Sequence, residues 1–243
     1  MEYRLYNKLF SGDKKVFALL IDPEKHSGNS LLKTIDVANA SPVDLILVGG
    51  SLTSLPIDDT VITIKKHARV PVILFPGNLL QLSVHADGIL LMSLISGRNP
   101  EYLIGNQVSA SMYLKRSGLE IIPTGYILTG NASYTSVEYI SNTRSIPPDK
   151  TDIITSTALA GEQLGMKLIY LEAGSGANGT VNPNVISNVV SEVNIPVMAG
   201  GGIRTPEDVR RLYQAGARAI VVGTAVEENM SILERLSAVK NEF

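Results

Sequence analysis

The chain has 243 residues, and its 21 lysines and arginines against 23 aspartates and glutamates give a formal net charge of −2. This balance provides no basic field for nucleic acid, and the lack of cysteine excludes disulfides, zinc–thiolate sites and thiol nucleophiles. No stretch approaches the roughly 18 apolar residues of a membrane span, and the charged start does not resemble a signal peptide. We therefore expect a soluble, cytoplasmic protein without nucleic-acid partners, folded as one domain over residues 1–243.

Eight short apolar runs alternate with helical patterns, after a short leading helix predicted within residues 1–15. The predicted strands span residues 16–21, 44–48, 70–75, 88–92, 119–128, 168–173, 195–199 and 219–222. The predicted helices span residues 31–39, 61–67, 100–117, 151–164 and 183–192, and one more begins at residues 205–206. This alternation predicts a parallel sheet with right-handed crossovers. Eight strands without a dinucleotide-binding fingerprint favour an α/β fold of the (β/α)8 TIM-barrel type over a doubly wound sheet.

Two connections depart from the usual length. Residues 79–87, between the third strand's loop and the fourth strand, are too few for two loops and a full crossover helix. We therefore predict a modified barrel whose third outer helix is missing or reduced, and the gap in its wall could admit a long apolar ligand. Residues 129–149 form a long polar loop, for which a substrate lid and plain disorder both stay open.

Two glycine turns follow the last two predicted strands. Gly201 and Gly202 lie just past the seventh strand, and Gly223 and Thr224 directly follow the eighth. Glycine at such a point lets a ligand approach the backbone closely, and free N–H groups there suit a phosphate. Because the phosphate site of many (β/α)8 barrels lies after strands seven and eight, these turns predict one here. The alternative is that the glycines only tighten the loops.

An acidic residue stands near the end of the sixth strand. Tyr170 and Glu172 share one face of this strand, because side chains alternate with a period of two. If that face is the lumen, Glu172 is a buried acid that must be paired, hydrogen-bonded or protonated. A substrate hydroxyl would meet this need, and Glu172 could then act as a general base; an ion pair with a lysine is the alternative. Gly174, Ser175 and Gly176 follow as a third donor-rich turn.

A carboxylate and a hydroxyl follow the first two strands. Asp22 comes directly after the first strand, and Ser51 follows the second. Because the ends of adjacent parallel strands lie side by side, this pair suits Mg2+, which takes few protein ligands and completes its shell with water and phosphate oxygens. The alternatives are a carboxylate at a helix N-terminus for Asp22 and an ordinary loop hydroxyl for Ser51. Tyr126, inside the fifth strand, is either lumen core or a substrate contact.

The sequence resembles the geranylgeranylglyceryl phosphate synthase family, which also includes bacterial heptaprenylglyceryl phosphate synthases. The resemblance runs nearly end to end, and YLEAGSGA together with DPEK is its most specific part. The matching stretches are LIDPEK at 20–25, LVGGS at 47–51, FPGN at 75–78, IIPTGYIL at 121–128, TRSIPPDK at 143–150, ALAGEQLGMKLIYLEAGSGA at 158–177, MAGGGIRTPED at 198–208 and VVGTAVEEN at 221–229.

The resemblance implies a modified barrel that opens sideways for a prenyl chain. It also implies a prenyltransferase that joins sn-glycerol 1-phosphate to an allylic prenyl diphosphate through an ether bond, with Mg2+ held by Asp22 and Ser51. The residues that would bind glycerol phosphate are Tyr170, Leu171, Glu172, Ala173, Gly174, Ser175, Gly176, Gly201, Gly202, Gly223 and Thr224. A homo-oligomer is a further expectation from the family, and the lipidic donor implies transient contact with a membrane surface.

One residue departs from the family pattern. The heptaprenyl-type enzymes are associated with a lysine two residues before the aspartate of DPEK, and this chain has Leu20 there. The difference favours geranylgeranyl diphosphate as the donor. The same departure leaves open what, besides backbone donors, offsets the phosphate charge. Two other functions also stay open: a sugar-phosphate isomerase or lyase on the same phosphate turns, without magnesium or a prenyl groove, and a catalytically inactive binding barrel.

Overall fold

Eight parallel strands form a closed barrel in sequence order. The computed structural model describes residues 3–54, 56–130 and 135–243. The strands are β1 (Val16–Ile21), β2 (Leu45–Val48), β3 (Val72–Leu74), β4 (Gly88–Leu94), β5 (Glu120–Leu128), β6 (Leu168–Glu172), β7 (Val197–Gly200) and β8 (Ala219–Val222). Each strand pairs in parallel with its neighbours in sequence, and β8 pairs with β1 to close the ring. The predicted TIM barrel is therefore confirmed.

Helices surround this barrel in the described part of the chain. They are α1 (Arg4–Phe10), α2 (Gly28–Ala40), α3 (Asp58–His67), α4 (Asn106–Ser117), α5 (Ser136–Ser141), α6 (Thr151–Gln163), α7 (Pro183–Glu192), α8 (Pro206–Gln214), α9 (Thr224–Glu228) and α10 (Ile232–Ala238). A π-helical turn, Glu101–Gly105, leads into α4, and a 3-10 turn, Val239–Glu242, ends the chain. None of the helices in these described ranges is long and apolar enough to cross a bilayer.

The strands are apolar on both faces because both faces are buried. In β2, Leu45 and Leu47 belong to the lumen cluster, which contains side chains from all eight strands, whereas Ile46 and Val48 pack in the layer between sheet and helices. All four side chains are fully buried. This two-sided burial is typical of parallel strands, and it explains why the runs show no polar alternation.

Helix α1 covers the amino-terminal end of the barrel. Its first turn is fixed by Glu120, whose carboxylate accepts the N–H groups of Leu5 and Tyr6 at 2.7 Å each. Leu9 and Phe10 at its other end are buried against the lumen core. The carboxyl-terminal end of the barrel is therefore the end left for a ligand, as is usual in this fold.

The connection from β3 to β4 contains only a three-residue 3-10 turn, Leu79–Gln81, where a full outer helix would otherwise stand. The prediction of a missing or reduced third helix is thus confirmed. Gln81 is fully buried, and its side-chain oxygen accepts the N–H groups of Gly50 and Gly77 at 3.0 and 3.1 Å. Its amide nitrogen donates to the Gly50 carbonyl at 2.7 Å. One glutamine therefore fastens the loops after β2 and β3 that the absent helix would have supported.

The long loop after β5 contains a helix that the sequence analysis missed. Helix α5 begins with a capping box, in which the Thr135 hydroxyl accepts the Glu138 N–H and the Glu138 carboxylate accepts the Thr135 N–H at 2.9 Å. The same carboxylate accepts the N–H and hydroxyl of Ser145 at 2.8 Å each, so Glu138 joins both sides of the loop. Residues 131–134 of the predicted loop lie outside the described residues, and its role as a lid stays a prediction.

Candidate functional site

One cavity at the carboxyl-terminal end of the barrel brings together the predicted chemical groups. Asp22, Ser51 and Glu172 all line it. So do the turns predicted to hold phosphate, through Ser175, Gly176, Gly201, Gly202, Gly223 and Thr224. These residues come from the ends of β1, β2, β6, β7 and β8, which meet only because the sheet closes. The residues that were predicted to share one rim therefore line one cavity, and their roles stay predictions.

Glu172 lies at the top of β6 and faces the lumen. Its Oε1 accepts the N–H of Gly174 at 2.6 Å, and the hydroxyls of Tyr126 and Tyr170 also donate to the carboxylate. Burial raises the pKa of Glu172 to about 7, although these three hydrogen bonds favour the charged form. No lysine contributes to this shift, so the alternative of an ion pair is wrong in the described part of the chain. A carboxylate with this pKa suits proton transfer near neutral pH.

Three aromatic rings support this carboxylate. The rings of Tyr126 and Tyr170 are tilted against each other with centroids 5.2 Å apart, and the Phe75 centroid lies 6.0 Å from that of Tyr126 and 5.2 Å from that of Tyr170. Tyr126 and Tyr170 are buried, and both still line the cavity. Tyr126 therefore belongs to the lumen core, as one of the two alternatives had it, and the other alternative, contact with a substrate, stays a prediction.

Glycines let the chain pack tightly around Glu172. A Cβ atom on Gly201 would collide with Glu172 Oε1, and one on Gly200 would collide with the Tyr170 hydroxyl. Gly201 and Gly202 also have positive φ angles of 86° and 67°, which side-chain-bearing residues rarely adopt. The turn after β7 is thus built from glycine because neither the backbone angle nor the space allows another residue.

The N–H groups of these turns are free to face a ligand. Within the described residues, Gly201, Gly202, Gly223 and Thr224 donate no backbone hydrogen bond to a protein acceptor. Four free donors around one cavity make a site for an anion. The sequence analysis predicted donors at the turns after β7 and β8, and their role in binding a phosphate stays a prediction.

Three residues of the predicted glycerol phosphate stretch lie away from the cavity. The Leu171 and Ala173 side chains are buried in the layer between β6 and the helices. The Gly174 N–H donates to the Glu172 carboxylate, and Gly174 is not among the residues that line the cavity. Period-two alternation already places Leu171 and Ala173 opposite Glu172. A contact of these three with a substrate stays a prediction, and for Leu171 and Ala173 it would involve backbone atoms.

The Asp22 carboxylate has one oxygen largely free. Oδ1 accepts the Glu24 N–H at 3.0 Å, whereas Oδ2 has the Lys25 ammonium at 3.9 Å, beyond hydrogen-bond distance. Burial raises the pKa of Asp22, so its charged form gains from a nearby cation. A Cβ atom on Gly50 would lie 2.9 Å from Oδ2, which explains the glycine just before Ser51.

This donor set fits a magnesium ion that keeps most of its ligands from elsewhere. Within the described ranges, no group of three or more Asp, Glu or His residues could hold a metal. One carboxylate and one hydroxyl suit Mg2+, which is usually bound through one or two carboxylates, waters and substrate phosphates. Asp22 and Ser51 would therefore hold the ion mainly when a phosphate-bearing ligand is present.

An apolar groove continues from the cavity through the open wall. Met92 on the lumen face of β4 and Leu91 on its outer face both line the same space. Beyond them the groove is bordered by Leu82, in the connection that replaces the third helix, and by Gln107 and Ala110 of α4. The gap predicted from the short connection is thus a path from the lumen to the outside of the sheet.

Three charged residues of the cavity were missed by the sequence analysis. Arg204 follows the glycine turn after β7, and its guanidinium donates to the Ala177 carbonyl at 2.8 Å. Its position two residues after Gly202 is a signal that could have found it, and it offers the positive charge that Leu20 does not. Lys25 and Glu227 also line the cavity and form an ion pair at 2.7 Å.

The sequence was compared with protein families and with known proteins. The model of the PcrB family matches residues 11–241. The chain is 46% identical over 231 residues to a geranylgeranylglyceryl phosphate synthase of Spirosoma linguale, covering 95% of this chain and 93% of the relative. A geranylgeranylglyceryl phosphate synthase of Korarchaeum cryptofilum is 38% identical and covers 97% of each chain.

A solved structure agrees with the sequence matches. It is the (S)-3-O-geranylgeranylglyceryl phosphate synthase of Thermoplasma acidophilum in complex with its substrate sn-glycerol-1-phosphate, 37% identical, with a TM-score of 0.88. The alignment covers 94% of this chain and 93% of that one. Fold, motifs and full-length similarity therefore agree, and the chain belongs to the PcrB family, together with the geranylgeranylglyceryl phosphate synthases that it resembles.

Proposed function

We propose that this protein is a magnesium-dependent prenyltransferase that forms an ether bond between sn-glycerol 1-phosphate and a prenyl diphosphate, with geranylgeranyl diphosphate as the favoured donor. The prenyltransferase role rests on the family and on relatives that carry the name geranylgeranylglyceryl phosphate synthase. The observation that carries the proposal is one continuous cavity that joins a buried base, four free backbone donors and an apolar groove.

The acceptor would bind at the turns after β6, β7 and β8. The free N–H groups of Gly201, Gly202, Gly223 and Thr224 would hold the phosphate, with the Arg204 side chain at the edge of the same turn. A phosphate held there would bring the glycerol hydroxyls toward Glu172, which lines the same cavity. Holding two reactants in attack geometry can lower a barrier by up to about 7–11 kcal/mol, so positioning alone accounts for a large share of the rate.

In the proposed reaction, the glycerol hydroxyl oxygen bonds to C1 of the prenyl group while the bond from C1 to the diphosphate oxygen breaks. Glu172 accepts the hydroxyl proton, and the diphosphate leaves with the bonding electrons. When bound at Asp22 and Ser51, Mg2+ would neutralise charge on the departing diphosphate. The prenyl chain would lie in the groove between Leu91 and Ala110.

Product mass tests this function directly. The protein is incubated with sn-glycerol 1-phosphate, Mg2+ and farnesyl, geranylgeranyl or heptaprenyl diphosphate, and the products are identified by mass spectrometry. We expect a prenylglyceryl phosphate ether, formed best from geranylgeranyl diphosphate. Conversion of a phosphosugar without any ether product would instead select the isomerase or lyase alternative. Ligand binding without turnover of either kind would select an inactive binding barrel.

Replacing Ala110 with phenylalanine should shift the preference toward shorter donors. The Ala110 side chain is buried and lines the groove, and a phenyl ring there would occupy space that a long chain needs. We expect the ratio of kcat/KM for geranylgeranyl diphosphate to that for farnesyl diphosphate to fall about tenfold or more. A tenfold change corresponds to the binding free energy of a few buried methylene groups. The control is Ser109→Phe on the exposed side of α4. An unchanged ratio in Ala110→Phe would place the chain elsewhere.

Self-association and transient membrane contact remain predictions. Exposed apolar side chains on and beside α4, namely Ile104, Val108 and Met112, are in keeping with a protein–protein contact. Leu79 and Leu80 are exposed beside the open wall, where a donor that arrives from a membrane would enter.

A further inference from the structure

The described part of the cavity contains two cationic side chains, and they lie at different turns. Arg204 belongs to the turn after β7, where its guanidinium donates to the Ala177 carbonyl at 2.8 Å. Lys25 belongs to the loop after β1, three residues beyond Asp22. The proposed reaction has two anionic groups, a phosphate on the acceptor and a diphosphate on the donor. One cation at each of two turns could therefore serve one anionic group each.

Lys25 sits between two carboxylates. Its ammonium lies 2.7 Å from Glu227 Oε2 on α9 and 3.9 Å from Asp22 Oδ2. The Lys25 side chain is half exposed, whereas both carboxylates are largely buried. Two buried negative charges beside one cation leave this corner of the cavity with a net negative charge. Binding an anion in this corner therefore requires added positive charge, which Mg2+ at Asp22 would supply and an ammonium turned from Glu227 to the ligand would increase.

We propose that Lys25 is a ligand of the donor diphosphate, and that Glu227 is the carboxylate that holds its ammonium when no diphosphate is bound. This assignment rests on the proposed function, because it takes the diphosphate to lie beside Asp22. An ammonium has three N–H donors, so Lys25 can turn toward a diphosphate oxygen without a change in the backbone. The half-exposed position of the side chain gives it the freedom to do so.

The two members of the pair should then respond oppositely to mutation. Lys25→Met removes a charge-assisted donor from the diphosphate, which weakens binding. Glu227→Gln removes a negative charge near the anion but keeps an oxygen that can still accept from Lys25. A merely structural ion pair would lose the same interaction in either variant, so equal effects would follow from that role.

Calorimetry with inorganic pyrophosphate in the presence of Mg2+ tests the assignment without turnover. We expect Lys25→Met to raise Kd about 10- to 100-fold, the usual effect of losing a hydrogen bond to a charged group. Glu227→Gln should leave Kd unchanged or lower it by a few-fold, and Lys25→Arg should retain part of the affinity. The matched control is Lys65→Met, which breaks the surface pair with Asp87 at 2.6 Å outside the cavity and should not change Kd.

Two results would overturn the assignment: an unchanged Kd in Lys25→Met, or the same weakening in Lys25→Met and Glu227→Gln. Wild-type protein that fails to bind pyrophosphate with Mg2+ would also overturn it. Thermal melting of each variant checks folding, and Lys25→Gln serves if Lys25→Met melts early. Wild-type protein that binds pyrophosphate but forms no ether would contradict the proposed function, and Lys25 would then be assigned as a pyrophosphate ligand without reference to a prenyl donor.

Discussion

Replacing Glu172 with glutamine should lower kcat by about 10²- to 10⁴-fold, the usual contribution of a positioned general base. Glutamine has nearly the same shape as glutamate and keeps a side-chain oxygen that can accept the Gly174 N–H. In the wild-type protein this N–H lies 2.6 Å from Glu172 Oε1. The hydroxyls of Tyr126 and Tyr170 can also accept from the new amide. The variant should therefore fold normally and bind glycerol phosphate within a few-fold of wild type, as calorimetry would show.

The pH dependence of turnover provides a second measurement on the same residue. Burial raises the pKa of Glu172 to about 7, so the carboxyl group is largely protonated below that pH and cannot accept the hydroxyl proton. Wild-type kcat should therefore rise as pH increases through about 7 and then level off. The residual rate of Glu172→Gln should lack this step, because no group titrates at that position.

A glutamate at the other end of the barrel controls for a general loss of structure. Glu120 accepts the N–H groups of Leu5 and Tyr6 at 2.7 Å each, so Glu120→Gln perturbs a similar set of hydrogen bonds far from the cavity. We expect it to lower the melting temperature slightly and to leave kcat unchanged. Full turnover in Glu172→Gln would show that this acid is not the base, and equal losses in both variants would indicate a stability effect.

The sequence predicted the barrel well because both faces of its strands are buried. Strands β1 and β8 and helix α7 begin and end at the predicted residues, and the missing third helix follows from residue counting alone. β3 is shorter than predicted, since Pro71 precedes it and cannot donate to the ladder. Helix α5 was missed because it is only six residues long, although the Thr135–Glu138 capping box was a signal for it.

The sequence predicted the site residues that lie at strand ends. It did not predict the ion pair between residues that are far apart in sequence. Glu172 ends a strand, Asp22 directly follows one and Ser51 lies three residues beyond another, so topology alone placed them at one rim. Lys25 and Glu227 are 202 residues apart in sequence, and no local pattern indicates that their side chains pair. The pattern of apolar residues indicates which side chains are buried but not which charged side chains pair. The ion pairs at the rim are therefore known only from the structure.

Replacing Asp22 with asparagine should abolish the response of turnover to magnesium. Asparagine keeps an oxygen that can accept the Glu24 N–H but loses the charge on the largely free Oδ2. The other carboxylate of this corner, Glu227, is paired with Lys25 at 2.7 Å. Lewis-acid assistance is worth several kcal/mol, so we expect kcat to fall at least about a hundredfold. A titration of turnover with Mg2+ should show no saturation in the range where wild type saturates.

Binding experiments should show that the metal and the diphosphate depend on each other. Because Asp22 and Ser51 offer only two ligands, Mg2+ alone should bind weakly to wild type and much more tightly when inorganic pyrophosphate is present. The control is Asp87→Asn at the opposite end of the barrel, where Asp87 likewise accepts a backbone N–H, from Val72 at 2.8 Å, and faces Lys65. It should leave the magnesium response unchanged. Magnesium-dependent turnover that survives in Asp22→Asn would remove Asp22 from the metal site, because a two-ligand site cannot lose its only charged ligand and keep the ion.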